Sequence, residues 1–182
     1  MSNRVLFFLA CISSFAASAS ACPCIPQARL FEVRASIDAA RIPPGAWGGA
    51  VLGDQWIWFG ESREGPRVVV RDGDADVRSA PLTHAAYQAL QDAWDAMLRD
   101  ATPDAFELET LEGEFAFFGG SHDPAKFRYA AGFCLLPDAP AARLFDLIEL
   151  LSELVAQEEP ARRALVPWIE ANARAAHALG SE

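Results

Sequence analysis

The sequence has 182 residues, a formal net charge of −10 at pH 7 and 52% hydrophobic residues. This length suits one domain with its own core. The acidic charge excludes a general nucleic-acid-binding surface, because such a surface must attract phosphate. The same charge favours a basic macromolecular partner over an acidic one, and it also serves solubility, so both interpretations stay open.

The first 21 residues have the composition of an export signal. Arg4 supplies a positive start, an apolar stretch runs from Val5 to Ile12, and the first acidic residue is Glu32. That stretch is too short to span a bilayer core, which needs about 20 apolar residues as a helix. Small residues end the segment at Ala19-Ser20-Ala21. The sequence therefore predicts that residues 1–21 are removed and that the mature protein works outside the bacterial cytoplasm.

Cleavage after Ala21 leaves Cys22 as the first residue, and this resembles the maturation of bacterial lipoproteins, whose new N-terminal cysteine carries a diacylglycerol. Ala21 fits the motif of that family, whereas Ala19 stands where leucine is usual. The resemblance implies lipidation of Cys22, with residues 22–29 as a tether. Aspartate, which retains such proteins at the inner membrane, does not follow Cys22. The implied location is the outer membrane, facing the periplasm.

The cysteine count bears on the same question. Cys11 lies in the signal, so Cys22, Cys24 and Cys134 remain after cleavage. Three thiols in an oxidising compartment leave one unpaired. Lipidation of Cys22 would leave Cys24 to form a disulfide with Cys134. A Cys22–Cys134 bridge with Cys24 free, or three reduced thiols, are the alternatives.

Residues 30–182 predict a single α+β domain of two layers, in which two or three helices cover a mostly antiparallel sheet. Apolar and polar residues alternate from Leu30 to Asp38, as in a half-buried strand. Further strands are predicted at 51–59, at 67–71 and around Val77. Gly48-Gly49 is expected in a loose segment before the first of these, and 60–66 in a hairpin loop.

Three helices are predicted in the second half of the domain. The first runs from Thr83, a good N-cap residue, to Arg99. The second follows Pro140. The third is expected to have Pro167 in its first turn, where the missing N–H of proline has little effect. A strand is predicted at 126–135, before the second helix.

A predicted hairpin from Phe106 to Phe118 carries an acidic cluster. Its turn is Glu112-Gly113, and the register places Thr110 opposite Phe115 and gathers the phenylalanines on one face. The other face and the turn carry four carboxylates, those of Glu107, Glu109, Glu112 and Glu114. A basic partner would relieve their mutual repulsion, although a solvated sheet face has the same composition.

A second candidate binding feature is aromatic. Trp56 and Trp58 are two residues apart, so in a strand they point the same way, while Ile57 and Phe59 point the other way. Both faces of this strand are then apolar. The pattern predicts either a central strand buried on both faces or an exposed aromatic platform, and tryptophan is enriched in binding surfaces and ligand grooves.

The sequence contains no complete catalytic, metal or cofactor motif. The aspartates of Asp72–Asp76 have the spacing of a calcium loop, but Val77 stands where that loop needs glycine. Ser121, His122 and Asp123 are adjacent, so their side chains cannot converge as a catalytic triad. We therefore expect an acidic turn at the first site and a surface loop at the second, with no metal and no cofactor.

These observations favour an exported binding protein of the envelope that is not an enzyme. A sharper hypothesis is an inhibitor or immunity-type protein that caps a basic cell-wall hydrolase with the acidic hairpin. One alternative is a hydrolase that acts on envelope glycans or peptides through an unrecognised carboxylate pair. Another is a structural assembly factor of the envelope. The sequence leaves the oligomeric state undetermined.

Overall fold

The structure is a computed structural model that describes residues 45–52, 55–73, 77–99, 115–132 and 140–181. These residues form six strands, three long helices and a short 3₁₀ helix at Pro124–Lys126. In chain order the strands and long helices are β1 (Ala46–Leu52), β2 (Gln55–Ser62), β3 (Gly65–Asp72), β4 (Val77–Pro81), α1 (His84–Leu98), β5 (Phe115–Gly119), β6 (Arg128–Gly132), α2 (Pro140–Ala156) and α3 (Ala161–Leu179). The α+β class is confirmed: an antiparallel sheet forms one layer and helices form the other.

The strand order in the described sheet is β4-β3-β2-β1-β5-β6, and all neighbours are antiparallel. β1 to β4 follow one another as a meander. After α1 the chain returns to the other side of β1, where β5 pairs with it and β6 pairs with β5. The earliest described strand therefore lies inside the sheet, between β2 and β5.

β5 corrects the predicted acidic hairpin. Phe115 pairs with Leu52 of β1 on one side and with Gly132 of β6 on the other. Because a strand has only two hydrogen-bonding edges, both edges of β5 are occupied. The predicted pairing of Thr110 with Phe115 is therefore wrong. Residues 106–114, which include the four glutamates, lie outside the described residues.

The single strand predicted at 51–59 is instead a pair of strands. β1 ends at Leu52, β2 begins at Gln55, and these two residues are cross-strand partners. Gly48 and Gly49, expected in a loose segment, both belong to β1. A Cβ at Gly49 would overlap the backbone oxygen of Ile57. The two glycines therefore serve the close approach of paired strands.

The main core lies between the sheet and the helices. α1 and α2 lie against the sheet, and α3 packs mainly against α1 and α2. Alternation along β2 and β3 turns every second side chain toward the helices. The fully buried large side chains of this core include Ile57, Phe59, Leu90, Trp94, Phe117, Leu147, Ile148 and Leu151.

The helix boundaries agree with the sequence at α1 and differ at α3. Thr83 caps α1 as predicted, since its Oγ1 accepts a hydrogen bond from the Ala86 N–H at 3.1 Å. α3 begins at Ala161, so Pro167 lies inside it and not in its first turn. Proline in a helix interior removes one backbone hydrogen bond. Burial of Ile169 and Ala173 against the core offsets this loss.

Tyr87 brings a polar group into this core. Its side chain is 7% exposed, and its ring packs edge-on to Phe59 at 6.3 Å between centroids. The hydroxyl is buried and has no hydrogen-bond partner in the described structure. Burial, with a smaller contribution from the charge of Glu61, raises the pKa of Tyr87 to about 12.

We expect Tyr87→Phe to leave the free energy of unfolding unchanged or to raise it, because an unsatisfied buried polar group costs about 1–3 kcal/mol. The pH dependence gives a second signature. The pKa of Tyr87 is higher in the folded protein, so above about pH 10 the unfolded chain loses this proton first. This contribution to stability is complete below pH 10 and is lost as the pH rises toward 12.

Urea unfolding of the two proteins at about pH 8 and about pH 11 measures both effects. The stability of the variant relative to the wild type should increase at the higher pH. A variant that is clearly less stable at pH 8 would show that the hydroxyl has a partner.

Candidate functional site

The sheet face opposite the helices carries a second, smaller apolar cluster. Its members are Val51, Trp56, Trp58, Ala116, Phe118, Phe127 and Tyr129, and we call these seven residues the aromatic face. Within the described structure, no residue of α1, α2 or α3 belongs to this cluster. Strands β1, β2, β5 and β6, with the residue just before β6, therefore build a face that the described helices leave uncovered.

The two tryptophans of β2 lie on this face because of strand alternation. Ile57 and Phe59 are fully buried and belong to the helix-side core. Trp56 and Trp58 alternate with them and belong to the opposite cluster, which confirms that they point the same way. Both indoles are only partly buried. Of the two sequence-based interpretations, β2 combines elements of each: it is an inner strand, and one of its faces carries partly exposed aromatic rings.

One row of cross-strand partners runs across four strands of the aromatic face. Trp58 is opposite Gly49, Gly49 is opposite Phe118, and Phe118 is opposite Tyr129. Neighbouring strands lie about 4.8 Å apart. The ring of Trp58 is therefore separated from the ring of Phe118 by one strand, β1. At this point of β1 the residue is Gly49, which has no side chain.

The β5–β6 side of the face is a packed group of three rings. The centroids of Phe118 and Phe127 are 5.5 Å apart, and those of Phe127 and Tyr129 are 6.3 Å apart at 66° between planes. Such pairs contribute about 0.5–1.5 kcal/mol beyond area burial. Phe118 is fully buried and Phe127 is 6% exposed. This group supports the face, while the half-buried Trp56 and Trp58 present ring surface to solvent.

Among the described strands, the charged side chains beside the tryptophans are arginines. Val68 and Val70 of β3 are buried toward the helices, so alternation places Arg67 and Arg71 on the opposite side, with the aromatic face. Arg71 is the cross-strand partner of Trp56. Arg67 lies two residues from Val69, which is the partner of Trp58.

The acidic residues of the described strands lie on the helix side of the sheet, opposite the aromatic face. Glu61 follows Ile57 and Phe59 at two-residue steps, and its charge acts on Tyr87 of α1. Asp72 follows Val68 and Val70 in the same way and accepts a 2.7 Å hydrogen bond from Gln55. The described strands therefore give the aromatic face positive charge only, in a chain whose net charge is −10.

Arg67 has unused hydrogen-bonding capacity. Its Nη1 is 3.4 Å from the carboxylate of Glu64, which is 81% exposed. An ion pair this exposed contributes little. The Nε of Arg67 is buried and has no hydrogen-bond partner among the described residues. Arg71 is held differently, because its Nε donates to the Gly73 carbonyl at 2.9 Å.

The other sequence-predicted site residues fall outside this surface. The lipidation residue Cys22, the proposed disulfide partners Cys24 and Cys134, and the acidic cluster Glu107, Glu109, Glu112 and Glu114 all lie outside the described residues. Lipidation, the disulfide and an acidic partner surface therefore stay predictions.

The described residues of the Ser121–Asp123 segment and of the calcium-like segment Asp72–Asp76 have structural roles. Ser121 accepts a hydrogen bond from the Asp123 N–H, and Asp123 accepts one from the Ala125 N–H, so both side chains stabilise the turn into the 3₁₀ helix. The hydrogen bond from Gln55 and the charge of Arg78 hold the pKa of Asp72 below its usual value. The described residues include no group of three or more side chains suited to a metal ion.

A cavity of about 210 Å³ lies between α1 and α3. It is lined by Ala85, Gln88, Ala89, Asp92, Arg174 and His177. Asp92 accepts a hydrogen bond from Gln88 and is the single carboxylate of the lining, so this cavity lacks the facing pair that glycoside hydrolysis needs.

Of the helices in the described ranges, none has the length and apolar character needed to cross a membrane.

No protein-family model matches this sequence, and neither a curated protein nor a solved structure shows significant similarity to it.

Proposed function

We propose that the mature protein is a non-enzymatic binding protein of the bacterial envelope and that it binds its partner with the aromatic face. The observation that supports this proposal is the placement of Trp56 and Trp58. They lie side by side on a sheet face that the described helices leave uncovered, with part of each indole exposed. Large, rigid aromatic side chains contribute strongly to binding and lose little conformational entropy.

The location follows from the N-terminal sequence. An export signal at residues 1–21 directs the chain out of the cytoplasm, and lipidation of Cys22 would hold it at the outer membrane, facing the periplasm. A Cys24–Cys134 disulfide suits that oxidising compartment. A surface-bound protein of this kind is well placed to bind a component of the envelope.

The sharper hypothesis of an inhibitor for a basic hydrolase has less support from the described strands than envelope binding by the aromatic face. It depended on a hairpin that gathered Glu107, Glu109 and Glu114 on one face, and β5 uses both of its edges for other strands. Arg67 and Arg71 border the aromatic face and would repel a basic partner. We therefore keep envelope binding as the proposal and assign the binding to the aromatic face.

Sedimentation with isolated bacterial envelopes tests this proposal. We expect the wild-type protein to sediment with the detergent-insoluble part of the envelopes, where an acyl chain can no longer cause retention. Trp56→Ala combined with Trp58→Ala should weaken retention by about tenfold or more, because truncating an interface tryptophan often removes over 2 kcal/mol of binding free energy.

Trp168→Ala is the matched control for this experiment. Trp168 is 65% exposed on α3, in the helical layer, so its removal should leave retention unchanged. Circular dichroism should show that all variants remain folded. Equal retention of the wild type and of the folded double variant would refute binding by the aromatic face.

The mass of the intact mature protein tests the proposed location. We expect the protein expressed in a Gram-negative host to lack residues 1–21 and to carry acyl groups on Cys22. A mass that matches unmodified Cys22 would refute lipidation and leave a soluble periplasmic protein. A mass that includes residues 1–21 would refute export by this signal.

A further inference from the structure

We propose that the aromatic face binds an acidic saccharide, a glycan whose sugar rings stack on Trp56 and Trp58 and whose carboxylates pair with Arg67 and Arg71. This inference rests on the proposed function and names the class of ligand. It depends on two features of the described sheet: the kind of surface that the tryptophans form, and the sign of the charges beside them.

The position of the tryptophans inside the sheet favours a ligand that stacks. β2 is bonded to β1 on one side and to β3 on the other, so its backbone donors and acceptors are used within the sheet. Peptides that bind by adding a strand need a free edge, which β2 lacks. A ligand over Trp56 and Trp58 must therefore be recognised by side chains.

The spacing of the two indoles suits a chain of sugar rings. Side chains two residues apart in a strand are separated by about 6.5–7 Å. The face of an indole ring is electron-rich, and the axial C–H groups of a pyranose ring present a flat surface with partial positive charge. The two indoles, one behind the other along β2, can therefore each contact one of two successive sugar rings of a glycan chain.

The charges favour an acidic glycan over a neutral one. Arg67 and Arg71 border Trp56 and Trp58, while the acidic residues of the described strands, Glu61 and Asp72, lie on the helix side. Guanidinium groups bind carboxylates with paired, charge-assisted hydrogen bonds. Because the chain as a whole is acidic, positive charge here is local and would direct an anionic ligand to this face.

Arg67 is the more informative of the two arginines. In the described part of the chain its buried Nε has no hydrogen-bond partner, and its one ion pair there is with the exposed Glu64. The Arg67 side chain is 33% exposed, so a ligand carboxylate can reach its guanidinium group. Exchange of Glu64 for a ligand carboxylate would cost little, since the existing ion pair is 3.4 Å long and solvated.

Calorimetric titration of the purified mature protein with three probes tests the inference. The probes are hexagalacturonate as the acidic saccharide, chitohexaose as the neutral saccharide and hexaglutamate as the acidic peptide. We expect hexagalacturonate to bind at least about tenfold more tightly than either of the others. Added salt should weaken its binding, because the arginine contacts are electrostatic.

Variants separate stacking from charge recognition. Trp58→Ala should weaken binding of hexagalacturonate by about tenfold. Arg67→Gln should weaken it by a similar factor while leaving the weak binding of chitohexaose unchanged. The matched control is Arg143→Gln on α2, an exposed arginine paired with Asp146, and it should bind like the wild type.

Each other outcome overturns the inference in a distinct way. Equal binding of chitohexaose with no effect of Arg67→Gln would leave a neutral-saccharide surface, and preference for hexaglutamate would leave a peptide surface. If no probe binds but sedimentation with envelopes still requires Trp56 and Trp58, the saccharide inference fails and the proposed function survives. If sedimentation is also independent of these tryptophans, both fail.

Discussion

We expect Trp94→Ala to lower the free energy of unfolding by about 3–5 kcal/mol, which is a large share of the stability of an ordinary domain. Trp94 is fully buried at the centre of the helix–sheet interface. Its ring lies 5.0 Å from that of Phe59 and 6.3 Å from that of Phe117, both edge-on, and its Nε1 donates a 3.3 Å hydrogen bond to the Gly49 carbonyl. Alanine would remove all three interactions and leave a cavity.

Urea or thermal unfolding measures this loss, and Trp168→Ala is the matched control. Trp168 is 65% exposed, so its truncation should change the free energy of unfolding by about 0.5 kcal/mol or less. If the two variants were equally stable, Trp94 could not lie in the core between the sheet and the helices.

The second large effect is expected for Gly49→Ala. A Cβ at this position would overlap the backbone oxygen of Ile57 and lie 2.7 Å from the Cα of Trp58. Neither contact can be relieved by rotating a side chain, so β1 and β2 must separate. We expect a loss of about 1–3 kcal/mol or more in the free energy of unfolding. Binding should also weaken, because Trp58 is the cross-strand partner of Gly49.

Gly73→Asn provides the comparison for this substitution. Gly73 has φ +53° and open space where a side chain would lie. Asparagine tolerates this left-handed conformation better than most residues. The control should therefore be close to the wild type in stability. A Gly49→Ala variant that matched this control would contradict the close approach of β1 and β2.

The separation of the two apolar clusters explains why these effects can be told apart. Trp94, Phe59 and Phe117 form part of the core between the sheet and the helices. Trp56 and Trp58 lie on the other face and are half-buried. Truncating them should therefore cost less stability than truncating Trp94, so a loss of binding can be distinguished from a loss of fold.

Local patterns in the sequence predicted the elements that depend on local interactions. Thr83 and the apolar spacing that follows it define α1, because capping and helical periodicity act within a few residues. Alternation at 56–59 predicted that Trp56 and Trp58 share a face. These features need no knowledge of which strands become neighbours.

Features that depend on distant pairing were not predictable in the same way. Glu112-Gly113 is a good local signal for a turn. The strands that pair with β5 are nevertheless β1 and β6, and the residues of β1 that pair with β5 are more than 60 positions away in the sequence. Pro167 also misled the prediction, because tertiary burial of α3 overrides the local penalty of an interior proline. In both cases contacts with distant residues decided the structure, so local sequence signals predicted it wrongly.

The two arginines that border the aromatic face, Arg67 and Arg71, were not predicted for a related reason. In Arg67–Arg71, three consecutive valines separate the two arginines, so the segment reads as a continuous apolar strand and its alternation is hidden. The signal appears only when Val68 and Val70 are known to face the helices. The described helices cover only one face of the sheet, and the whole fold determines which face this is.

The most direct test of binding by the aromatic face is an NMR titration of the indole N–H groups. The chain has five tryptophans, so five resonances can be assigned with single Trp→Phe variants. Soluble fragments released from bacterial envelopes by muramidase serve as the probe. We expect the resonances of Trp56 and Trp58 to shift while those of Trp94 and Trp168 stay in place. Shifts at Trp168 with none at Trp56 and Trp58 would contradict the aromatic face as the binding surface.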